Sequence, residues 1–479
     1  VFPAMLGTLA EPSADALAEL RRIAGEPNVL DGDDMVPYLA EPRDLFRGRA
    51  RFVLRPSSAE AVADIVRHCA AHRIGIVPYG GGTGLVGGQI SAETPTPIVL
   101  SLERMNRIRA IVPEEGALVA EAGVILQDVQ QAADEAGRLF PLSLAAQGSC
   151  RIGGNLATNA GGIQVLRYGN VRDLCLGIEA VLPNGEILCG LKTLRKDNTG
   201  YDLRHLLIGA EGTLGVITAA ALKLFPKPAA IVTAMLAAPS PAKAVSLLRH
   251  LQDRLGDTVT AFELIKDQGI RFLETVLPDM RDPLVGNPPW RVLVEISGPA
   301  GAQIEERTEA AMAGAFERGL ATDGVLAMSE TQRADMWRLR EHLPEGNRRV
   351  GSISSHDVSL PIGRIGEFLE RAEPRVRAVD PTLRINCFGH MGDGNLHYNI
   401  FPPEGGRRQD HDKSRARVRE AVHDLVHDLG GSVSAEHGIG RLKTADLIRY
   451  GDPAKIEAMR AIKRALDPHG IMNPGAVLA

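Results

Sequence analysis

The stretch Gly389-His390-Met391-Gly392-Asp393-Gly394-Asn395-Leu396-His397-Tyr398-Asn399 carries two imidazoles among glycines too numerous for a stable helix. It reads as a strand, a tight Asp393-Gly394-Asn395 turn and a second strand, which brings His390 and His397 close together. Strand alternation then puts Asn399 on the His397 face. Further on, Ser434-Ala435-Glu436-His437-Gly438-Ile439-Gly440 offers a carboxylate beside an imidazole in another glycine-rich turn. His390, His397 and Glu436 make a three-ligand set with one position left open, which is how catalytic divalent sites are built. Taken singly, each histidine fits a satisfied core or turn position better. The set, with Asn399 and the Glu436-His437 pair, is what points to a metal.

A second kind of chemistry is written in glycine. Pro78-Tyr79-Gly80-Gly81-Gly82-Thr83-Gly84-Leu85-Val86-Gly87-Gly88 places six glycines in eleven residues straight after the apolar run Ile74–Val77. Such a loop lets successive backbone N–H groups converge on an anion, usually phosphate. Gly148-Ser149-Cys150-Arg151-Ile152-Gly153-Gly154-Asn155-Leu156-Ala157-Thr158-Asn159-Ala160-Gly161-Gly162 is a second small-residue segment, with amide and hydroxyl side chains able to bond a ligand. Two such loops suit an extended dinucleotide better than a bare phosphate. Gly82–Gly87 also fits the GxGxxG pattern, with Glu103 about twenty residues on, where a Rossmann fold keeps its ribose acid. The chain between Gly88 and the next strand, Ile98–Leu102, holds two prolines and is too short for a crossover helix, so that match is a coincidence.

The elements that must position these groups fit a chain of 479 residues, long enough for two or three domains. Ser57-Ser58-Ala59-Glu60 reads as a capping box opening an amphipathic helix through Ala71. Ala117–Val124 alternates like a strand, and Leu126, Val129, Ala133 and Ala136 recur at helical spacing. Asn184-Gly185 marks a hairpin, and Gly209–Gly215 leads into an apolar strand. Pro226-Lys227-Pro228 looks like a boundary, beyond which helices such as 242–255 alternate with strands such as 292–297. The fold class is therefore α+β. A net charge of −5 argues against nucleic acid as a partner. No stretch approaches the ~18–20 apolar residues of a membrane span. The chain begins at Val1, and nothing in it resembles a signal peptide. Five scattered cysteines without a CxxC pair suit a reducing compartment, and a cytoplasmic location is expected.

The first glycine loop resembles that of flavoproteins of the vanillyl-alcohol oxidase type, with a PCMH-type FAD domain, and Gly148–Gly162 is similar to their second FAD loop. GHMGDGNLHYN and SAEHGIG resemble the metal and catalytic motifs of the D-2-hydroxyglutarate and D-lactate dehydrogenase branch, and Asn473-Pro474-Gly475 its C-terminal signature. The resemblance runs from about residue 45 to the end. It implies an N-terminal segment (1–45), a PCMH-type FAD-binding domain (46–226), an α+β substrate domain (227–430) and a C-terminal segment (431–479) packing back on the FAD domain and completing the FAD and metal site. Gly80, Gly81, Gly82, Thr83, Gly84, Gly88, Ser149, Gly154, Asn155, Thr158, Gly162, Val216 and Ile217 would hold FAD, with Asn473 near the isoalloxazine. Members that link FAD covalently use a histidine in the first loop; this loop has none, so the FAD would be non-covalent.

The same resemblance implies a divalent ion, zinc first, on His390, His397 and Glu436. His437 would be the general base, Asn399 a hydrogen-bond partner of the substrate, and Arg340 the clamp on its carboxylate. The implied reaction is oxidation of a D-2-hydroxy acid; an electron acceptor such as an electron-transfer flavoprotein, quinone or cytochrome is expected, as is a homodimer. Two positions depart from the hydroxyglutarate pattern. Pro344 stands where a hydroxyl residue follows the arginine by four, and Ser355 replaces a lysine. D-2-hydroxyglutarate leads narrowly over D-lactate and D-malate. Two other classes fit parts of the sequence: a zinc hydrolase with structural glycine loops, and a flavin-bearing subunit of a glycolate-oxidase-like complex. The complete His390, His397, Glu436 and His437 set argues against the latter.

Overall fold

A computed structural model of the protein describes residues 7–43 and 46–478. The expected N-terminal segment, 1–45, therefore falls partly outside the described residues. Two compact units emerge: one formed by 1–161, 170–226 and 437–479, the other by 162–169 and 227–436.

Among its described residues the first unit has two larger sheets and a two-stranded pairing of Phe225–Pro226 with Arg138–Leu139. In the four-stranded one, Val53–Leu54, Ile98–Ser101 and Ile76–Tyr79 run parallel in that spatial order, with Val29–Leu30 antiparallel at the edge. The connection from Tyr79 to Ile98 contains no helix, so the dinucleotide-type reading of Gly82–Gly87 fails structurally as well. Glu103 instead accepts from the Tyr38 hydroxyl at 2.9 Å and from Arg55 at 3.2 Å. The second sheet is antiparallel and five-stranded, ordered Ile108–Val112, Ala117–Glu121, Val216–Lys223, Cys175–Val181, Ile187–Gly190. Its last two strands are the hairpin around Asn184-Gly185, closed by Val181 opposite Ile187.

The helix Ala59–His72 opens one residue later than the expected box. Its cap is Ser58, whose hydroxyl accepts the Ala61 N–H at 3.2 Å, which leaves Glu60 in the first turn where its charge favours the helix N-terminus. Its apolar stripe, Val62, Ile65, Val66 and Cys69, is fully buried against Leu54, Ile76, Leu100 and Met472. Each such side chain contributes roughly 1.5–3 kcal/mol by leaving water. Met472 arrives from the far end of the chain. Ile76 donates its N–H to Ile471 and accepts from Asn473, both at 2.8 Å, so the C-terminal segment lies as a short parallel bridge beside the strand that leads into the first glycine loop.

The second unit is built on a seven-stranded antiparallel sheet. Its order is Asp323–Leu326, Ala230–Ala238, Trp290–Gly298, Val259–Lys266, Arg384–Gly389, Asn395–Phe401, Ser354–Ser359. One face buries Met235, Ile265, Leu293 and Phe388 against the helices Asp267–Val276, Glu330–Glu341 and Leu343–Val350. Because side chains alternate along a strand, Glu263 shares that face with Ile265, and Glu295 shares it with Leu293. Two carboxylates are thereby carried into an apolar layer. Each meets a partner from the helix Glu330–Glu341: Arg340 for Glu263 and the Trp337 indole for Glu295.

Candidate cofactor pocket and ligand cluster

In the first unit the two glycine segments meet and enclose a cavity. Its lining includes Gly80, Gly81, Gly82, Thr83, Gly84 and Gly88 from the first segment and Gly153, Gly154, Asn155 and Thr158 from the second. Glu211, Gly212, Val216, Ile217 and His437 also line it. The second segment is a short helix, Ile152–Ala157, rather than an open loop. Glycine is required where these segments touch. A Cβ on Gly81 would collide with the Ser149 carbonyl oxygen, and one on Gly80 would lie 3.1 Å from Gly154 Cα. Backbone thus faces backbone around a cavity bordered by amides, which fits a bound pyrophosphate.

Three residues expected at the cofactor lie outside this lining. The Ser149 hydroxyl turns back to Ala146 O at 3.3 Å. Gly162 belongs to the second unit. Asn473 braces the pocket from behind: its Nδ2 donates to Gly88 O at 2.9 Å and Glu211 O at 2.7 Å, and its Oδ1 accepts from Arg441 at 2.7 Å. The same Arg441 holds the carbonyls of Gly87 and Gly88, and burial pushes its guanidinium down to about 10.

Glu211 is a lining residue that the sequence did not single out. Burial raises its carboxyl pKa against two backbone bonds: its oxygens accept the N–H groups of Ile439 at 2.7 Å and Gly440 at 2.8 Å. Gly438 must be glycine here, because it has φ +80° and a Cβ would sit 2.7 Å from Glu211 Oε1. The turn that carries His437 is therefore pinned to the wall of the pocket by a buried carboxylate.

In the second unit, the strand Arg384–Gly389 ends at a single 3-10 turn, Met391–Asp393, and Gly394 at φ +91° starts the return strand Asn395–Phe401. Phe388 lies opposite His397, so His390, just past the strand end, has its ring 5.7 Å from that of His397. Their Nε2 atoms face the two oxygens of Glu436, at 3.9 Å from His390 and 3.6 Å from His397. Asp357, from the neighbouring strand, has a carboxylate oxygen within 4.8 Å of the ligand atoms of His397 and Glu436, a cluster that does not include His390. Its oxygens accept from Asn395 Nδ2 at 2.9 Å and from the Glu436 N–H at 3.1 Å, so it fixes both the turn and the carboxylate. Imidazole and carboxylate donors converging in this way suit a divalent ion such as zinc.

Asn399 lies two residues beyond His397 on the same strand and is buried. Its Nδ2 donates to the His397 carbonyl at 3.1 Å. Arg340 is 5% exposed, with its guanidinium 4.8 Å over the Phe388 ring. Its Nε donates to Glu263 Oε2 at 2.5 Å, and His390 Nδ1 bonds Glu263 Oε1 at 2.6 Å. Burial opposes ionisation of Glu263, but Arg340 and His390 outweigh it and hold the carboxyl down at about 2. Burial likewise opposes charge on His390, and the Glu263 carboxylate overcomes it, pushing the imidazole up to about 9. Glu263 was not singled out from the sequence. Its signal is an acid inside the otherwise apolar strand Val259-Thr260-Ala261-Phe262-Glu263-Leu264-Ile265. Pro344 is the second residue of the helix Leu343–Val350. Ser355 is exposed beside Asn399 in the sheet, bonding the Ser352 hydroxyl at 2.8 Å.

Among known proteins, a family model described as an FAD binding domain matches residues 50–189, and one described as the C-terminal domain of FAD linked oxidases matches 227–477. The mitochondrial D-2-hydroxyglutarate dehydrogenase of Arabidopsis thaliana is 35% identical over 459 residues, which is 96% of this chain and 80% of that protein. The mitochondrial D-2-hydroxyglutarate dehydrogenase of Bos taurus is 37% identical over 97% of this chain and 84% of its own length. The D-2-hydroxyglutarate dehydrogenase of Stutzerimonas stutzeri (strain A1501) is 37% identical over 96% and 98%. Among solved structures, p-cresol methylhydroxylase superposes with a TM-score of 0.75 at 18% identity, covering 98% of both chains. An alkyldihydroxyacetonephosphate synthase reaches 0.73 at 18%, covering 98% of this chain and 88% of that one. At that identity the likeness is one of fold. A match to an FAD-binding domain sets aside the hydrolase reading of the glycine loops. The expected cytoplasmic location is also overturned, since the relatives from A. thaliana and B. taurus are mitochondrial. Free cysteines speak for a reducing compartment but do not say which one.

Proposed function

The chain belongs to the PCMH-type FAD-linked oxidases, close to the D-2-hydroxyglutarate and D-lactate dehydrogenases, and on that premise we propose a metal-assisted course for its oxidation of a D-2-hydroxy acid. D-2-hydroxyglutarate is the first substrate, ahead of D-lactate and D-malate. The observation that carries the metal part is the convergence of His390 and His397 Nε2 on the two oxygens of Glu436.

FAD, held by the glycine segments without a covalent bond, supplies a hydride acceptor. A divalent ion on His390, His397 and Glu436, zinc first, would lower the pKa of the substrate hydroxyl and orient it. His437 takes the hydroxyl proton as the C2–H bond breaks and its electron pair leaves as hydride, giving the 2-oxo acid. Two features favour His437 for this role: it lines the cofactor pocket, and it is the residue after a proposed ligand. Arg340 grips the C1 carboxylate. Its Nε is committed to Glu263, which leaves both terminal nitrogens without a hydrogen-bond partner among the described residues, turned into a planar two-donor fork. Electrons then pass to an acceptor such as an electron-transfer flavoprotein.

Anaerobic mixing with a panel of D- and L-2-hydroxy acids tests this reading. Bleaching of the flavin absorbance by D-2-hydroxyglutarate, and not by its L enantiomer, is expected. Bleaching by D-lactate or D-malate alone would move the substrate assignment, and no bleaching by any member would remove it.

A further inference from the structure

The carboxylate of Glu263 hydrogen-bonds both the proposed carboxylate clamp and a proposed metal ligand, and we infer that it is a positioning residue that makes the two one unit. This rests on the metal-assisted reading above. The geometry is a shared anion: Oε1 bonds His390 Nδ1 at 2.6 Å and Oε2 bonds Arg340 Nε at 2.5 Å, in a side chain with no solvent exposure. Both neighbours are donors toward it. By holding the proton on Nδ1, Glu263 leaves the Nε2 lone pair of His390 for the ion. By engaging Nε alone, it fixes the guanidinium plane over Phe388 and leaves the terminal nitrogens for substrate. The strand Val259–Lys266 supplies the rigidity, because it is hydrogen-bonded on both sides within the sheet.

The shared-anion role depends on the number of acceptors at position 263. Glutamate offers two acceptor oxygens; glutamine, of the same shape, offers one acceptor and one donor. In Glu263→Gln, either the amide N–H faces His390 Nδ1, which forces the ring proton onto Nε2 and removes the ligand lone pair, or it faces the Arg340 Nε–H and turns the fork away. Glu263→Asp keeps two acceptors on a shorter arm. A packing role ranks the isosteric glutamine above aspartate, whereas the shared-anion role ranks aspartate above glutamine.

The test uses full-length, FAD-loaded protein. Zinc affinity is read by competition with a chromophoric chelator, and half-saturation by D-2-hydroxy acid is read from flavin reduction. Glu263→Gln should weaken zinc by roughly 10- to 100-fold, the usual effect of losing a partner behind a ligating histidine, and should also raise the half-saturating concentration. Glu263→Asp should be milder on both counts. Arg340→Met, which leaves the Glu263–His390 bond in place, should raise half-saturation while keeping zinc affinity within threefold. If the glutamine variant does not fold, aspartate takes its place against Arg340→Met, and its zinc affinity must be the weaker of the two. A wild-type protein that takes up no zinc overturns the metal reading and this inference with it. Wild-type and glutamine proteins that bind zinc alike, or a glutamine variant that outperforms aspartate, overturn this inference alone.

Discussion

His437 and Arg340 are proposed to act on different groups of the same small acid, the C2 hydroxyl and the C1 carboxylate, so their variants should fail in different ways. His437→Asn removes the proton acceptor but keeps a polar side chain of modest size in the pocket wall. Substrate should still bind, while flavin reduction at saturating substrate slows by roughly 10²- to 10⁴-fold, the usual worth of a general base. Arg340→Lys keeps the charge and loses the planar fork, so the concentration needed for saturation should rise with the limiting rate much less affected. Stopped-flow reduction on variants of confirmed FAD and metal content measures both. A metal-loaded His437→Asn that reduces its flavin at the wild-type rate would assign the base elsewhere. At this scale the sequence was readable where chemistry-bearing residues cluster in glycine-rich turns: His390, His397, Glu436 and His437 all stand out there. It was silent on Glu211, Glu263 and Asp357, because each acts on a partner remote in the chain. Glu211 meets Ile439 and Gly440, Glu263 meets His390 and Arg340, and Asp357 meets Asn395 and Glu436.

The glycine segments act as elements through the closeness of their backbones, which a single methyl tests. In Gly81→Ala the added Cβ would collide with Ser149 O, and the two segments would have to separate. Such overpacking costs about 1–3 kcal/mol, so FAD affinity should fall roughly tenfold to a hundredfold. The measurement is the flavin-to-protein absorbance ratio after extensive dialysis, with zinc content as the control that the second unit is intact. A fully flavinated Gly81→Ala would show that the segments can part without loss. The hairpin offers a parallel case. Gly394 has φ +91°, and a Cβ there would run into Leu360 O, so Gly394→Ala should lose about 1–3 kcal/mol to backbone strain alone and disorder the turn between His390 and His397. Thermal unfolding and zinc uptake should report this together. Strands and helices with strict periodicity were legible, as in Leu126–Glu135 and the Asn184-Gly185 hairpin. The short helix Ile152–Ala157 was not, since Ile-Gly-Gly-Asn-Leu-Ala has poor helix propensity and is held by tertiary contacts, with Gly153 N bonded to Ala122 O at 2.8 Å.

At the scale of the whole molecule, cofactor and ligand sets belong to different compact units, and this makes them separately removable. The glycine segments up to Gly161, with Glu211, Asn473 and His437, lie in the first unit; His390, His397, Glu436, Asp357, Glu263 and Arg340 lie in the second. The chain passes from one unit to the other between Glu436 and His437, so a single peptide bond joins a proposed ligand to the proposed base. Each unit has its own β-structure and its own buried core. Chelation should therefore abolish turnover while the visible flavin spectrum persists, and zinc should restore activity. His397→Ala, which deletes one of three proposed protein ligands, should leave the protein yellow, monodisperse and metal-poor, with substrate unable to bleach it. Acid precipitation of either form should release the flavin to the supernatant, because the first loop offers no histidine for a covalent link. The decisive measurement is metal analysis paired with flavin absorbance on one sample. Metal-free protein that turns over normally would remove the ion from the reaction. Flavin lost in step with metal would mean that the two units do not hold their cargoes independently.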